Sequence, residues 1–140
     1  MKSARSRCAA SPRGQRRRPV LVSHTGLHAT CRGPRNLSDA HIKAIAATGG
    51  VMGIGYSEGA VCGRDTVAIV RAIQHVATIA GVKHVALGSD FDGAVKTAFY
   101  TTGHALITQG LMNGGFSDAD IADGMGCNVL RLLQAELPPG

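Results

Sequence analysis

His84-Val85-Ala86-Leu87-Gly88-Ser89-Asp90-Phe91-Asp92-Gly93 is the stretch on which the fold turns. Its first four residues form a short apolar run, stopped by glycine, that suits a parallel strand buried on both faces. The run feeds directly into a loop carrying two carboxylates. Working outward, Pro19-Val20-Leu21-Val22-Ser23 has the same texture and leads into His24, and Val51-Met52-Gly53-Ile54 reads as a strand between the two. Helical segments separate the three runs. Ser38 is a helix N-cap with Asp39 in the first turn, Ile42, Ile45 and Ala46 share a face, and Gly49-Gly50 ends the helix.

Residues 65–80 carry the clearest helical pattern, with Ile69, Ile73, Val76 and Ala80 at spacings of four, three and four and Gly81 as the stop. A further helix is expected near 103–112. The last starts at Ser117, which makes a capping-box spacing with Asp120, and carries Ile121, Met125, Val129, Leu132 and Leu133 on one face. Strands alternating with helices define an α/β fold with a parallel sheet and right-handed crossovers. Three strands cannot close a barrel, and 140 residues fall well short of the about 250 of a complete eight-unit α/β barrel.

The net charge of +6 belongs to one end of the chain. Residues 1–18 hold seven of the 15 basic residues and none of the nine acids, and they lack Val, Ile, Leu, Phe and Tyr. Such a segment cannot bury enough apolar surface to order itself, so a disordered basic tail, dispensable for folding, is expected over 1–18 and a folded body over 19–140. The tail lacks the apolar stretch of a secretory signal and the amphipathic pattern of a transit peptide. A basic arm that touches nucleic acid is an open reading for it. The body, with 8 basic and 9 acidic residues, gives no reason to expect a nucleic-acid surface.

No apolar run approaches the ~18 residues of a membrane span. The chain ends Leu137-Pro138-Pro139-Gly140 without the hydrophobic tail of a lipid-anchor signal. Cys8, Cys31, Cys62 and Cys127 are far apart and form no CxxC, so we read them as reduced thiols in a cytoplasmic setting.

Functional groups in α/β proteins gather at the carboxyl ends of strands. His24 and Asp90 stand at two such ends. His24 reads either as a hydrogen-bonded strand-end histidine or as a ligand. If their segment is extended, Asp90 and Asp92 point to opposite sides, so one faces a site and the other needs a structural partner. A turn that uses Asp and Gly for backbone reasons is the alternative. Other signals are weaker. Gly53-Ile54-Gly55-Tyr56-Ser57-Glu58 breaks a GxGxxG pattern at its last position. His24 and His28 are separated by Gly26 in a loop rather than stacked on a helix. Ser23 has no nucleophile-elbow context. His75 reads as a surface histidine on its helix.

Pro19-Val20-Leu21-Val22-Ser23-His24, Arg35-Asn36 eleven and twelve residues later, Gly88-Ser89-Asp90-Phe91-Asp92-Gly93 and Gly126-Cys127-Asn128-Val129-Leu130-Arg131 together resemble the carboxyl-terminal part of the membrane (renal) dipeptidases, peptidase family M19, over residues 19–137. The resemblance implies the last three or so βα units of a (β/α)8 TIM-type barrel, truncated on the amino-terminal side. It also implies zinc-dependent hydrolysis of dipeptides at a centre of two zinc ions. In that picture His24 is a zinc ligand, Arg35 holds the substrate carboxylate or the tetrahedral intermediate, and Asp90 transfers a proton.

The family's His-x-Asp pair is missing, since none of His24, His28, His41, His75, His84 and His104 has Asp two residues on. Glu58 and Glu136, the only glutamates, do not end an early strand. An inactive fragment is therefore expected. The alternatives are a non-catalytic binding module and one half of a split enzyme that joins an amino-terminal half. Open sheet edges also make a homo-oligomer an expectation.

Overall fold

A computed structural model of the chain describes residues 18–138. The expected basic tail, apart from Arg18, and Cys8 lie outside the described residues. Three strands, β1 (Leu21–Thr25), β2 (Val51–Ile54) and β3 (Val85–Leu87), form one parallel sheet in the order β1-β2-β3. The helices are α1 (Asp39–Ala47), α2 (Glu58–Val61), α3 (Thr66–Ala80), α4 (His104–Asn113), α5 (Asp118–Ala122) and α6 (Asn128–Glu136).

The expected caps at Ser38 and Ser117 form, and Asp65, expected as the first residue of its helix, is a third cap. Ser38 Oγ accepts from the His41 amide, Asp65 Oδ1 from the Ala68 amide, and Ser117 Oγ from the Asp120 amide. Each satisfies one of the amides that a helix leaves unpaired at its start.

The pleat sorts the strand residues between two apolar layers. Met52, Ile54 and Val85 bury into the main core with Ile42 of α1, Ile69, Ile73 and Val76 of α3, and Ile107 and Leu111 of α4. Their alternates Val51 and Ala86 pack instead with Leu132, against which Val129 also rests, so α6 covers the opposite face. Asn128, fully buried at the start of α6, donates to the Val82 and Val85 carbonyls and pins that helix to the base of β3.

The structure corrects four expectations. β1 runs on to Thr25, so His24 lies within the strand rather than beyond it. The last helix is broken: a π-turn over Asp123–Cys127 separates α5 from α6, and the phase shift leaves Met125 and Leu133 exposed, off the expected face. His75 is half-buried, its Nε2 lying 2.7 Å from Asp39 Oδ1 and tying α3 to α1.

Finally, Cys31 and Cys62 form a disulfide across 31 residues. The reading of reduced thiols fails because the two cysteines lie on separate loops that meet only in the fold, which spacing cannot reveal. The ground for a cytoplasmic setting goes with it. No helix among the described residues is long and apolar enough to cross a membrane.

A cross-link closing a loop of this size removes about 3–4 kcal/mol of unfolded-state entropy. Replacing both Cys31 and Cys62 with Ser should therefore lower stability by about 2–4 kcal/mol in denaturant titration. Reductant should then leave the double variant's melting temperature unmoved at this bridge while lowering that of the parent.

Candidate active site

The site begins with an irregularity in β1. Val22 pairs with Met52 and Thr25 with Ile54, so Ser23 and His24 together oppose Gly53 alone. Such a bulge adds a residue and re-aims a side chain that strict alternation would send elsewhere. Val22 and Thr25 keep to the side of the main core, whereas Ser23 and His24 are both exposed. Their side chains meet, with Ser23 Oγ 3.0 Å from His24 Nδ1. A hydroxyl can donate or accept, so it serves either tautomer of the imidazole.

Asp90 reaches His24 although β2 lies between their strands. The backbone ladder continues past the strands, with the Gly55 amide on the Thr25 carbonyl and the Gly88 amide on the Ile54 carbonyl. A Cβ at Gly53 or at Gly88 would overlap the Ser23 carbonyl, and one at Gly88 would stand 3.0 Å from His24 Cα. Two bare backbones thus let the loop after β3 close over β1.

Asp90 itself is left-handed, with φ 61, a conformation that few residues other than glycine adopt and that Asp tolerates better than most. Its Oδ1 lies 3.6 Å from His24 Nε2, with the Asp90 side chain 23% and the His24 side chain 42% exposed. The segment is turned rather than extended, so alternation does not apply: the Asp92 amide donates to the Asp90 carbonyl and the Asp92 carboxylate accepts from the Ala94 amide. The two carboxylates therefore divide into one that faces the histidine and one that shapes the loop.

Arg35 sits in the loop after β1, at the same end of the sheet, with its side chain exposed. The structure brings His24 and Asp90 into contact but does not bring Arg35 against either. His28 is exposed, and its amide donates to the Leu37 carbonyl.

Sequence reasoning missed an aromatic cluster beside this site. Tyr56, two residues beyond β2, is 2% exposed and lies 5.5 Å from Phe91, 5.5 Å from Phe99 and 5.7 Å from His104, ring centre to ring centre. Among the described residues neither Tyr56 Oη nor His104 Nε2, both buried, has a hydrogen-bond partner. Burial pushes the Tyr56 hydroxyl well above the ordinary phenol range. The only signal in the sequence was the position of Tyr56 just past a strand.

An imidazole and a carboxylate suit a metal, but a catalytic zinc usually takes three protein ligands. No group of three His, Cys, Asp or Glu side chains that could hold a metal comes together among the described residues. The donors present here therefore do not fit a complete metal centre.

The imidazole–carboxylate pair lies at the carboxyl end of a parallel sheet, where functional groups of α/β proteins gather, with a guanidinium on the loop after β1. The chain belongs to the membrane dipeptidase family, peptidase family M19, whose model matches residues 15–137. It is 31% identical over 122 residues to the dipeptidase verJ of Clonostachys rogersoniana, covering 84% of this chain and 31% of that one.

Two solved structures share the fold. One is the dipeptidase AC, a metallopeptidase of family M19, with TM-score 0.74 and 24% identity over 83% of this chain and 37% of that one. The other is a Rhodobacter sphaeroides metallopeptidase liganded with a phosphinate mimic of the dipeptide L-Ala-D-Ala. Its TM-score is 0.76 at 23% identity, covering 83% of this chain and 36% of that one. The chain spans about a third of the length of the relatives it matches.

Two variants check this geometry. Gly88→Ala should cost about 1–3 kcal/mol by overpacking and separate His24 from Asp90. The control Gly59→Ala, where a Cβ meets nothing within 4 Å, should be close to neutral. Denaturant titration with the His24 ring resonances reads both effects. Tyr56→Phe tests the buried hydroxyl. A folded-state pKa above the unfolded value gives stability that is full below about pH 10 and lost as pH rises beyond it. The Phe variant should lose that alkaline component and be no less stable at pH 7, because it removes an orphan hydroxyl.

Proposed function

We propose that this chain is the carboxyl-terminal portion of a zinc-dependent dipeptidase site, built on the last three or so βα units of a (β/α)8 barrel over residues 19–140, behind a basic tail. The observation that carries the reading is the convergence of His24 and Asp90 at 3.6 Å at the carboxyl end of the sheet, in a chain of this family.

The roles follow from the chemistry of each group. Neutral imidazole is a good zinc ligand, so His24 would supply one nitrogen to a zinc centre whose remaining ligands would have to come from outside the described residues. Arg35 holds the substrate carboxylate, for which a guanidinium fork is matched in shape and charge. Asp90 accepts the proton of the attacking water and passes it to the departing amine as the C–N bond breaks, so the carboxyl group ends the cycle as it began. On this reading the chain alone is inactive or nearly so, because one histidine and one carboxylate do not make a metal cage.

A complementing amino-terminal half is favoured by a specific feature of the sheet. Among the described residues β1 and β3 are each paired on one edge only, and Val20 and Leu21, before and at the start of β1, are 43% and 44% exposed. Free edges are templates for further strands. Self-association into a homo-oligomer, or a purely non-catalytic interaction through these edges, is the competing use of the same surface.

The purified chain with zinc should hydrolyse dipeptides near background. A separately produced amino-terminal portion of a family member, carrying a His-x-Asp pair, should restore turnover. In the restored enzyme His24→Ala should abolish activity, Asp90→Asn should lower kcat by about 10²–10⁴-fold, and Arg35→Ala should act chiefly on KM. Stoichiometric tight zinc and rapid turnover by this chain alone would overturn the reading.

A further inference from the structure

Arg35 is exposed, yet the residue beside it is among the most heavily tied side chains of the molecule. Asn36 Nδ2 lies 2.7 Å from the Cys31 carbonyl, 3.2 Å from that of Gly59 and 3.3 Å from that of Ala60. Three carbonyls around one atom settle that it is the nitrogen that faces them, since a carbonyl oxygen there would meet only other acceptors. The first carbonyl belongs to the Arg35 loop and the other two to α2, which follows β2. One carboxamide therefore bridges the loop to the neighbouring unit of the sheet.

The slot it occupies is cut to fit. A Cβ at Gly26 would collide with Asn36 Oδ1 and with the Ala60 carbonyl, so the absence of a side chain there makes the room. The backbone on the far side of Asn36 is pinned to the same place. The Leu37 amide donates to the Gly26 carbonyl at 2.9 Å, and the His28 amide to the Leu37 carbonyl at 2.8 Å. Gly26 is two residues from His24. The chain path from His24 to the carboxamide is thus short and hydrogen-bonded throughout, and Arg35 is one residue from its end.

We propose that Asn36 is the positioning residue for Arg35: its carboxamide fixes where the guanidinium stands relative to His24 and Asp90. The proposal rests on the reading of Arg35 as the clamp for the substrate carboxylate. The Cys31–Cys62 disulfide crosses the same joint but has a different task. It meets the loop four residues before Arg35, with Arg32, Gly33 and Pro34 between, and acts by constraining the unfolded chain. Stability comes from the disulfide and placement from Asn36. An aspartate could not substitute, because its carboxylate would face three carbonyl oxygens with no proton to give.

The test uses the full chain labelled with nitrogen-15, glycylglycine as the carboxylate probe, and the Arg35 Nε–H resonance, assigned by its loss in Arg35→Lys. Asn36→Ala and Asn36→Asp, both folded with the aid of the retained disulfide, should drop the Arg35 backbone order parameter from about 0.85 to below about 0.6. They should also weaken the glycylglycine response at Arg35 Nε by about fivefold or more, the cost of ordering a mobile clamp on binding.

The Cys31→Ser, Cys62→Ser double variant should melt earlier yet keep both the order parameter and the response, read well below its melting temperature. A side chain of merely structural importance would move the melting temperature and leave Arg35 alone. If wild type shows no glycylglycine response while Asn36→Ala still frees Arg35, the clamp reading falls and the positioning role stands. If Asn36→Ala leaves Arg35 ordered and responsive, or if the Cys31→Ser, Cys62→Ser variant is the one that frees it, the proposal is overturned.

Discussion

The site depends on three backbones coming closer than side chains would permit. His24 lies on β1 and Asp90 follows β3, and β2 runs between them, so in an ordinary sheet the two would stand about two strand spacings, or 9–10 Å, apart. The two side chains bridge that gap to meet at 3.6 Å, beside the bulge at Ser23 and His24 and two glycines at which a Cβ would overlap the Ser23 carbonyl. Gly53 and Gly88 thus shape the approach of the two segments by the side chains they lack. The left-handed backbone of Asp90 belongs to the same arrangement, since a strained residue persists only where its surroundings hold it.

Much of this was legible because it is local. The strand at 51–54, the helical pattern over residues 65–80, the N-cap at Ser38 and the capping-box spacing at Ser117 are written in short-range chemistry, and all of them form, the long helix starting one residue on at Thr66. The site residues could be picked out for a similar reason: an ionisable residue at the carboxyl end of an apolar strand is a pattern within one segment. The features that alternation and periodicity could not deliver are those that depend on two segments at once. The bulge at Ser23 and His24 appears only when β1 is laid on β2. The break between α5 and α6 appears only when Asn128 is anchored under β3. The Cys31–Cys62 bridge joins two loops that no spacing rule connects.

Asp90 and Asp92 show how a sequence argument can be right about a division of labour without knowing its terms. Alternation in an extended segment would have sent the two carboxylates to opposite sides, and the alternative was a turn built for backbone reasons; the segment turns, with Asp90 left-handed. The turn still divides them, with Asp90 facing His24 and Asp92 bonded to the Ala94 amide. The loop that presents the first carboxylate is shaped by the second.

The aromatic cluster gives the far side of this loop its own constraint. Phe91 follows Asp90 directly and packs edge-on against Tyr56, which is itself held by Phe99 and His104. Asp90 is thus fixed from two directions, by the glycine contacts on the strand side and by the anchored ring on the loop side. Fixation of this kind costs a histidine and a tyrosine their hydrogen-bond partners. Leaving polar atoms unsatisfied is unfavourable by about 1–3 kcal/mol each. Two such atoms lie in the cluster that holds the loop beside the His24–Asp90 pair, so stability is given up where that loop is fixed.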